Sequence, residues 1–413
     1  MRDLLFLTHR LPYPPNKGER IRAYHALQYL RRHFRVHLGT FIDHDDDRPH
    51  AEHLAADCAS SCFIRMPAHW ARLGSLSALL RGEPLSLPYF RHAALQQWVD
   101  GTLAAYPAAL CLAYSGPMAQ YLAQARLLRV MDLVDVDSEK WHNYADHKRW
   151  PMSWLYRREG RLLLEHERRV AADFDRVLLV SQAEAALFRR RAPESSHKVD
   201  YYTNGVDSGY FSPQGRHPNP YGQAPVLVFT GAMDYTPNID AVRWFAERVM
   251  PTLRRRFPDL QFHIVGSRPA APVLALRRVP GVHVSGTVPD IRPYLQHATL
   301  VVAPLQVARG VQNKVLEAMS MEKAVIATPQ ALEGITAMPG SEVLDANDAD
   351  GFIRHISRQL TSPDDIGPAA RRRILRDYDW ARNLQRLGRV LGVAATPAGT
   401  PQARQAADAE RGP

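Results

Sequence analysis

One stretch decides the fold of this 413-residue chain: Val226-Leu-Val-Phe-Thr-Gly-Ala-Met-Asp-Tyr-Thr-Pro-Asn238. Its first five residues are apolar or β-branched, which is the composition of a short buried strand. Gly231 permits a tight turn, and Thr236 or Asn238 can then cap a helix with Pro237 in its first turn. The stretch therefore predicts a strand that passes through a glycine loop into a helix, the repeating unit of a parallel sheet.

The same alternation of short apolar runs and helical segments extends in both directions from this stretch. Residues 212–225, rich in proline and glycine, interrupt it and are predicted to form a linker. Strands are expected at residues 4–8, 35–41, 62–65, 109–114, 128–132, 176–180 and 199–202, and after the linker at 226–230, 261–265, 282–285, 300–302 and 324–328. Helices are expected at 24–33, 95–105, 118–124, 152–173, 240–257, 291–297 and 311–320.

This pattern predicts an α/β fold with two Rossmann-like doubly wound parallel-sheet domains that face each other across a cleft. The N-terminal domain is assigned to residues 1–211 and the C-terminal domain to residues 226–393. The last helix of the second domain can cross back to the first. Residues 394–413 have no apolar period and are expected to be a disordered tail.

The composition is that of an ordinary globular chain, with 46% hydrophobic and 23% charged residues. The formal net charge of +10 is spread along the sequence, which argues against nucleic acid as a partner and leaves an anionic substrate or an anionic membrane surface. Cys58, Cys62 and Cys111 form no disulfide framework, and the N-terminus lacks the apolar run of a secretory signal. A cytoplasmic protein without a membrane-spanning segment is expected.

The loops at the carboxyl ends of parallel strands are the candidate binding sites, because ligands of such sheets bind there. The first loop contains Gly18 and Glu19, where the backbone can approach a phosphate at a helix N-terminus. Lys17, Arg20 or Arg22 can add positive charge. The loop lacks the GxGxxG spacing of a dinucleotide site. The alternative is a turn glycine before an ordinary helix.

A second candidate loop lies before the helix predicted at residues 311–320 and contains Arg309 and Gly310. In the helix, Asn313 is followed by Lys314 and Glu317, which are three residues apart and share one face. A cation at this position can neutralise a diphosphate, and a neighbouring carboxylate can accept hydrogen bonds from ribose hydroxyls. The alternative is a solvated i,i+3 ion pair of little energetic weight.

Two segments carry a resemblance to the family-four glycosyltransferases of the two-Rossmann-domain (GT-B) type. Asn204-Gly-Val-Asp207 is similar to the segment that precedes the interdomain linker in that family, and Lys314-Val-Leu-Glu317 resembles the second half of its glutamate–seven-residues–glutamate motif. Residues 134–141, 231–238 and 309–314 are most similar to a bacterial subgroup associated with exosortase (PEP-CTERM) and exopolysaccharide loci. The resemblance extends over nearly the whole chain and implies an enzyme.

The implied reaction is retaining transfer of a sugar from a nucleotide-diphosphate sugar to a hydroxyl acceptor. The acceptor is expected to be a lipid-linked saccharide of exopolysaccharide or cell-surface glycan synthesis, at the inner face of the membrane. In the C-terminal donor domain, Glu317 would bind the ribose, and Lys314 and Arg309 the diphosphate. The other donor-binding candidates are Gly231, Gly310 and Asn313.

The chain departs from the family at Arg309, which stands where the first glutamate of the motif is expected. Because arginine cannot accept a hydrogen bond from a sugar hydroxyl, the donor sugar is not predicted. The basic pair that usually follows the first strand of the donor domain is also missing. Lys314 and Arg309 are therefore the expected catalytic cations.

In the N-terminal acceptor domain, Asp135-Val-Asp137-Ser138-Glu-Lys140 follows a predicted strand. Asp135 and Asp137 have the DxD spacing of some metal sites, but the resemblance implies neither a metal ion nor a cofactor. These two carboxylates are predicted to be catalytic, on the acceptor hydroxyls. Ser138 and Lys140 join Gly18 and Glu19 as acceptor or phosphate-loop candidates. The alternative is that Asp137 or Ser138 only caps the next helix.

Segments 147–158 and 69–81 mix basic and aromatic residues, so they can rest on anionic lipid or pack inside the domain. Two other functions stay open. One is a sugar-nucleotide epimerase of the same architecture, and the other is a non-catalytic scaffold on membranes or nucleic acid. Product analysis without an acceptor would identify the first, and salt-sensitive binding without nucleotide-sugar binding the second.

Overall fold

The computed structural model describes residues 1–15, 18–43, 47–66, 77–106, 110–123, 127–146, 148–308 and 310–393. In this part of the chain the first sheet has seven parallel strands in the order β3-β2-β1-β4-β5-β6-β7. They are β1 (Arg2–Thr8), β2 (Phe34–Ile42), β3 (Ser60–Arg65), β4 (Leu110–Tyr114), β5 (Arg129–Val134), β6 (Arg176–Leu179) and β7 (Val199–Tyr201). On β1, Leu4 and Phe6 enter the core on one face, while Leu5 and Leu7 enter the core on the other. Burial on both faces explains why the strands are continuous apolar runs.

Helices cover both faces of this sheet. They are α1 (Gly18–Arg31), α2 (Arg48–Ala56), α3 (Ser77–Arg81), α4 (Ser86–Tyr89), α5 (Ala93–Ala105), α6 (Asp137–Asp146), α7 (Met152–Asp173) and α8 (Gln182–Arg191). The first helix begins at Gly18, earlier than the predicted residue 24. The segment predicted as a helix at 118–124 is a 3₁₀ turn over Gly116–Leu122, with a proline in its first turn.

The second sheet, counted over the same described residues, has six parallel strands in the order β10-β9-β8-β11-β12-β13. They are β8 (Val226–Thr230), β9 (Gln261–Val265), β10 (Val282–Gly286), β11 (Leu300–Ala303), β12 (Val325–Ala327) and β13 (Leu344–Asp345). Two parallel sheets with covering helices confirm the expected fold class. The two-residue strand β13 is too short to leave a periodic signal and is absent from the prediction.

The helices of the second half are α9 (Thr236–Arg248), α10 (Met250–Arg256), α11 (Ala271–Ala275), α12 (Arg292–His297), α13 (Asn313–Ser320), α14 (Pro329–Leu332), α15 (Ala349–Thr361), α16 (Ile366–Asp377) and α17 (Trp380–Val390). The single helix predicted over 240–257 is wrong, because the chain breaks there into α9 and α10. Pro251, in the first turn of α10, has no N–H with which to continue the preceding helix.

The last helix, α17, packs on the first sheet. Trp380, Leu384 and Leu387 belong to the same buried cluster as β1, and the His25 ring stacks on Trp380 with centroids 4.4 Å apart. Gly205 makes this approach possible, because a Cβ at that position would lie 2.8 Å from the Trp380 backbone nitrogen. The glycine of the Asn-Gly-Val-Asp segment is therefore required by packing.

The two sheets lie on either side of residues 212–225, since β7 ends at Tyr201 and β8 begins at Val226. The domain limits at residues 211 and 393 stay predictions. The proposed tail at 394–413 and residues 69–76 of the second basic aromatic segment lie outside the described residues. None of the helices in the described ranges is both long and apolar enough to cross a bilayer.

Candidate functional site

Loops that follow strands of both sheets meet between them. The Asp135 carboxylate, after β5, lies against the backbone of Gly310, which follows β11. Asn204 donates a hydrogen bond from Nδ2 to Asn313 Oδ1 at 3.2 Å. A Cβ at Gly18 would lie 3.7 Å from Asn313 Nδ2, so α1 and α13 begin next to each other. The structure thus brings the first candidate loop and the second into one site.

Lys314 lies at the N-terminal end of α13 and points toward the glycine loop after β8. Its Nζ donates a hydrogen bond to Asn238 Oδ1 at 2.5 Å and lies 4.3 Å from the centroid of the Phe229 ring. A Cβ at Gly231 would be 3.2 Å from this Nζ, and the φ of +152° at Gly231 also favours glycine. The absence of a side chain at residue 231 leaves the ammonium accessible from the loop.

Lys314 and Glu317 are half-buried and do not form an ion pair with each other, although the structure describes both. Burial lowers the pKa of Lys314 to about 7, and the Glu317 carboxylate opposes this shift. Burial raises the pKa of Glu317 to about 7, against the effect of Lys314. The solvated i,i+3 ion pair between Lys314 and Glu317 therefore does not form. A cation whose charge is poorly compensated by the protein is suited to an anionic ligand.

Asp135 is held in place by a strained backbone and by a lysine. Val134, directly before it, has a φ of +71°, which is rare for a β-branched residue. Lys140 Nζ lies 2.8 Å from Asp135 Oδ2 and 3.0 Å from Asp137 Oδ1. Burial lowers the pKa of Lys140, but the two carboxylates outweigh this effect and hold the pKa well above its usual value. Lys140 is consequently a permanent cation that fixes the Asp135 side chain.

Three buried polar atoms at this junction have no hydrogen-bond partner within the described protein: Asp135 Oδ1, Thr230 Oγ1 and Asn313 Nδ2. Thr230 directly precedes Gly231, and Asn313 directly precedes Lys314. Buried polar groups in folded proteins are nearly always paired. Unpaired atoms contributed by both halves of the chain therefore indicate a place that a polar ligand or water completes.

Ser138 lies at the contact between α6 and α7. Its hydroxyl is buried and donates to Glu167 Oε2 at 2.6 Å, and its backbone N–H donates to Glu167 Oε1 at 3.0 Å. Burial raises the pKa of Glu167 to about 8, which the hydrogen bonds from Ser138 oppose. This hydroxyl fixes α6 to α7, and the role of Ser138 in the acceptor or phosphate loop stays a prediction.

Two of the three basic side chains expected to add charge beside Gly18 are engaged within the protein. Arg20 is buried and forms a bidentate pair with Asp47, at 3.1 and 2.7 Å. Arg22 is fully buried and forms a bidentate pair with Asp132, at 3.0 and 3.2 Å. Neither guanidinium can reach a ligand in this arrangement, so the first loop offers Gly18 without those charges.

The Arg22 pair belongs to a network that sequence reasoning missed. Arg22 also donates to Tyr202 O at 2.8 Å and to Asn204 Oδ1 at 3.2 Å, and the Tyr202 hydroxyl donates to Asp132 Oδ2 at 2.6 Å. Since Asn204 in turn contacts Asn313, the network connects α1, β5 and α13. The Asn-Gly-Val-Asp segment was the only signal in the sequence that pointed to this connection.

The side chains of three candidate residues are not among those that the structure describes. Arg309 and Lys17 lie outside the described residues, and of Glu19 the structure describes only its position in α1. The roles assigned to Arg309 and Glu19 stay predictions.

The similarity of this chain to known proteins agrees with the geometry. Residues 224–362 match the family model described as glycosyl transferases, group 1. This part of the chain is therefore similar to the group 1 glycosyl transferases. This match confirms the expected enzyme class, a glycosyltransferase, while the exosortase-associated subgroup stays a prediction. No curated protein matches the sequence.

Solved structures of the same fold cover almost the whole chain. Sucrose-phosphate synthase from Thermosynechococcus elongatus superposes with a TM-score of 0.69 at 17% identity, over 99% of this chain and 100% of that one. HepE from Anabaena, in complex with UDP and glucose, superposes with a TM-score of 0.68 at 15% identity, over 94% of this chain and 99% of that one. For a glycosyltransferase from Rickettsia africae the TM-score is 0.62 at 12% identity, over 95% of this chain and 99% of that one. These likenesses establish the GT-B fold of the chain.

Proposed function

We propose that this glycosyltransferase moves a sugar, with retention of configuration, from a nucleotide-diphosphate sugar to a hydroxyl acceptor. The observation that carries the proposal is Lys314, a half-buried ammonium that has no carboxylate partner among the described residues and faces a glycine loop inside the segment that matches the group 1 family. HepE, whose structures contain UDP and UDP-glucose, supports a nucleotide-sugar donor. Retention rests on the sequence resemblance.

The donor diphosphate binds between the glycine loop at Gly231 and the N-terminus of α13 in this proposal. Cleavage of the sugar–phosphate bond leaves negative charge on the diphosphate. Lys314 and the positive end of the α13 dipole stabilise that charge more in the transition state than in the ground state, which raises the rate. Asn313 and Gly310 complete the phosphate contacts, and Glu317 accepts hydrogen bonds from the ribose. The reaction then needs no metal ion, and Arg309 is assigned as a second cation.

The acceptor hydroxyl is assigned to the opposite side of the junction. Asp135 Oδ1 has no hydrogen-bond partner among the described residues, while Oδ2 is held by Lys140, so Oδ1 can accept a hydrogen bond from a sugar hydroxyl. Asp137 shares Lys140 and is partly exposed, at 37% of its side chain. Both carboxylates thus orient the acceptor toward the donor held near Gly310.

The finer assignments follow from the resemblance. We infer that the acceptor is a lipid-linked saccharide of exopolysaccharide or cell-surface glycan synthesis, and that the enzyme works on the cytoplasmic side, peripheral to the inner face of the membrane. The similarity of residues 134–141, 231–238 and 309–314 to the exosortase-associated subgroup supports this inference.

The test begins with a thermal-shift screen against uridine-, guanosine- and adenosine-diphosphate sugars, since a ligand that binds only the folded state raises the melting temperature. Turnover of the stabilising donor is then measured for the wild type, Lys314→Met and the control Arg243→Ala, which alters an exposed pair with Glu247. We expect a turnover loss of about 100-fold or more for Lys314→Met and none for the control. Full turnover by Lys314→Met would refute the diphosphate assignment, and product formed without acceptor would point to an epimerase.

A further inference from the structure

The surface around the start of α7 carries large apolar side chains that are left exposed by the part of the chain that the structure describes. Trp150 is 81% exposed and Trp154 is 58% exposed, and Met152 between them is also exposed. Leu79, on the neighbouring helix α3, is exposed as well. The two helices touch, since Arg158 donates to the carbonyl of Ala78 at 2.9 Å. We call Leu79, Trp150, Met152 and Trp154 the tryptophan face.

Basic side chains surround the tryptophan face. Lys148 and Arg149 directly precede Trp150, and Arg157 and Arg161 follow Trp154 at helical spacings of three and seven, so they share its exposed side. Arg161 also pairs with the exposed Glu165 at 3.1 Å. From residue 146 to residue 161 the sequence has five basic and two acidic residues, a local excess of positive charge.

The tryptophan face is continuous with the mouth of the candidate site. Tyr156, one turn of α7 beyond Met152, packs against Trp141 and Tyr144 of α6 with ring centroids 5.1 and 6.4 Å apart. The Tyr144 hydroxyl lies 3.4 Å from the Tyr235 hydroxyl, which belongs to the second sheet’s glycine loop. The same helix α6 carries Lys140, which holds Asp135. A partner bound to the tryptophan face is therefore adjacent to the acceptor side.

We propose that the tryptophan face docks on an anionic lipid bilayer, with Trp150 and Trp154 in the headgroup region and the surrounding cations on lipid phosphates. Tryptophan is favoured at the boundary between hydrocarbon and water, and Lys or Arg near an anionic surface adds to the binding. Single-stranded RNA could also stack on tryptophan, but Met152 and Leu79 offer no ring for stacking and suit an acyl boundary. The docked orientation brings the mouth of the site to a lipid-borne acceptor, a consequence that rests on the proposed function.

The experiment measures binding of the full chain to vesicles in the absence of donor and acceptor. Sedimentation compares vesicles of equal parts phosphatidylglycerol and phosphatidylcholine with vesicles of phosphatidylcholine alone. We expect binding to the anionic vesicles that weakens with salt. The double variant Trp150→Ser/Trp154→Ser lowers the partition coefficient at least about tenfold, and Lys148→Gln/Arg149→Gln lowers it about 30-fold. Leu375→Ser, at a half-exposed residue of α16, is the matched control and leaves it unchanged.

Unchanged melting temperatures show that the surface variants fold. Equal vesicle binding by the wild type and both double variants overturns the proposal, as does an absence of binding to anionic vesicles. RNA binding or self-association that the tryptophan variant abolishes would assign the face to nucleic acid or to a second copy instead. Because no donor is present, this result is independent of glycosyl transfer: Lys314→Met tests the proposed function and is expected to bind vesicles like the wild type.

Discussion

Gly310→Ala tests whether the two sheets close on each other through the contact between Gly310 and Asp135. The φ of +66° at Gly310 places any other L-residue in the left-handed region, at a cost of about 1–2 kcal/mol. The new Cβ would also collide with the Asp135 carboxylate. Because Asp135 belongs to the other sheet, separation of the loops relieves the collision without unfolding either sheet. The free energy of unfolding therefore falls only by the cost of the left-handed backbone conformation, whereas the geometry of the site changes.

The matched control is Gly340→Ala. Gly340 has a similar φ of +79°, but a Cβ there meets nothing within 4 Å. Both variants should lose about 1–2 kcal/mol of unfolding free energy in urea denaturation. Only Gly310→Ala should lose turnover, by about 100-fold, which is the effect of misplacing reacting groups by about 1 Å. It should also have a larger radius of gyration in small-angle X-ray scattering.

A second substitution separates the collision from other effects of the alanine. In Gly310→Ala/Asp135→Ala the carboxylate is gone, so the radius of gyration should return to that of the wild type. Equal turnover in Gly310→Ala and Gly340→Ala, with no change in the radius of gyration, would show that Asp135 and Gly310 do not meet in solution.

Three further predictions concern charge and burial. Donor affinity, measured by calorimetry, should fall by up to about tenfold for each pH unit above 7. The reason is that Lys314 without a ligand loses its proton above its pKa of about 7, whereas the anionic donor binds the charged form. Lys314→Met should abolish this dependence on pH. Arg22→Met should lower the free energy of unfolding by about 3–5 kcal/mol, because it leaves the buried carboxylate of Asp132 without its cation. A change as small as that caused by Arg243→Ala would contradict the buried network. Ser138→Ala should lower the free energy of unfolding by about 1–2 kcal/mol, because the hydrogen bond to Glu167 is lost, and should leave kcat unchanged. A fall in kcat without loss of stability would instead support a role of Ser138 at the acceptor site.

The positions of most strands were accessible from the sequence because buried parallel strands are short apolar runs with turn residues at both ends. The runs at residues 4–7 and 226–229 are buried on both faces, as their composition indicates. Pro251 is a sequence signal for the break between α9 and α10, but the apolar period on both sides of it predicted one helix. Local pattern thus identified strands more reliably than it identified the ends of helices.

The partners of charged residues were not accessible in the same way. Arg20 and Arg22 stand beside a glycine loop, where the sequence suggests a ligand, yet their carboxylates come from Asp47 and from Asp132, far along the chain. Ser138 stands two residues before Lys140, yet its hydroxyl points to Glu167, because successive side chains of helix α6 are rotated by about 100°. Lys314 lies near Gly231 because both follow strands that are neighbours in the second sheet.

One buried framework positions both halves of the site. Asp132 ends the regular part of β5, and the strained residue Val134 then turns the chain so that Asp135 reaches Gly310. The same Asp132 holds Arg22, which holds Asn204, and Asn204 contacts Asn313 beside Lys314. The carboxylate assigned to the acceptor and the ammonium assigned to the donor are therefore fixed to a common set of buried hydrogen bonds. Because such bonds are directional and costly to leave unmade, this framework restricts the closed arrangement of the two sheets more narrowly than apolar packing alone would.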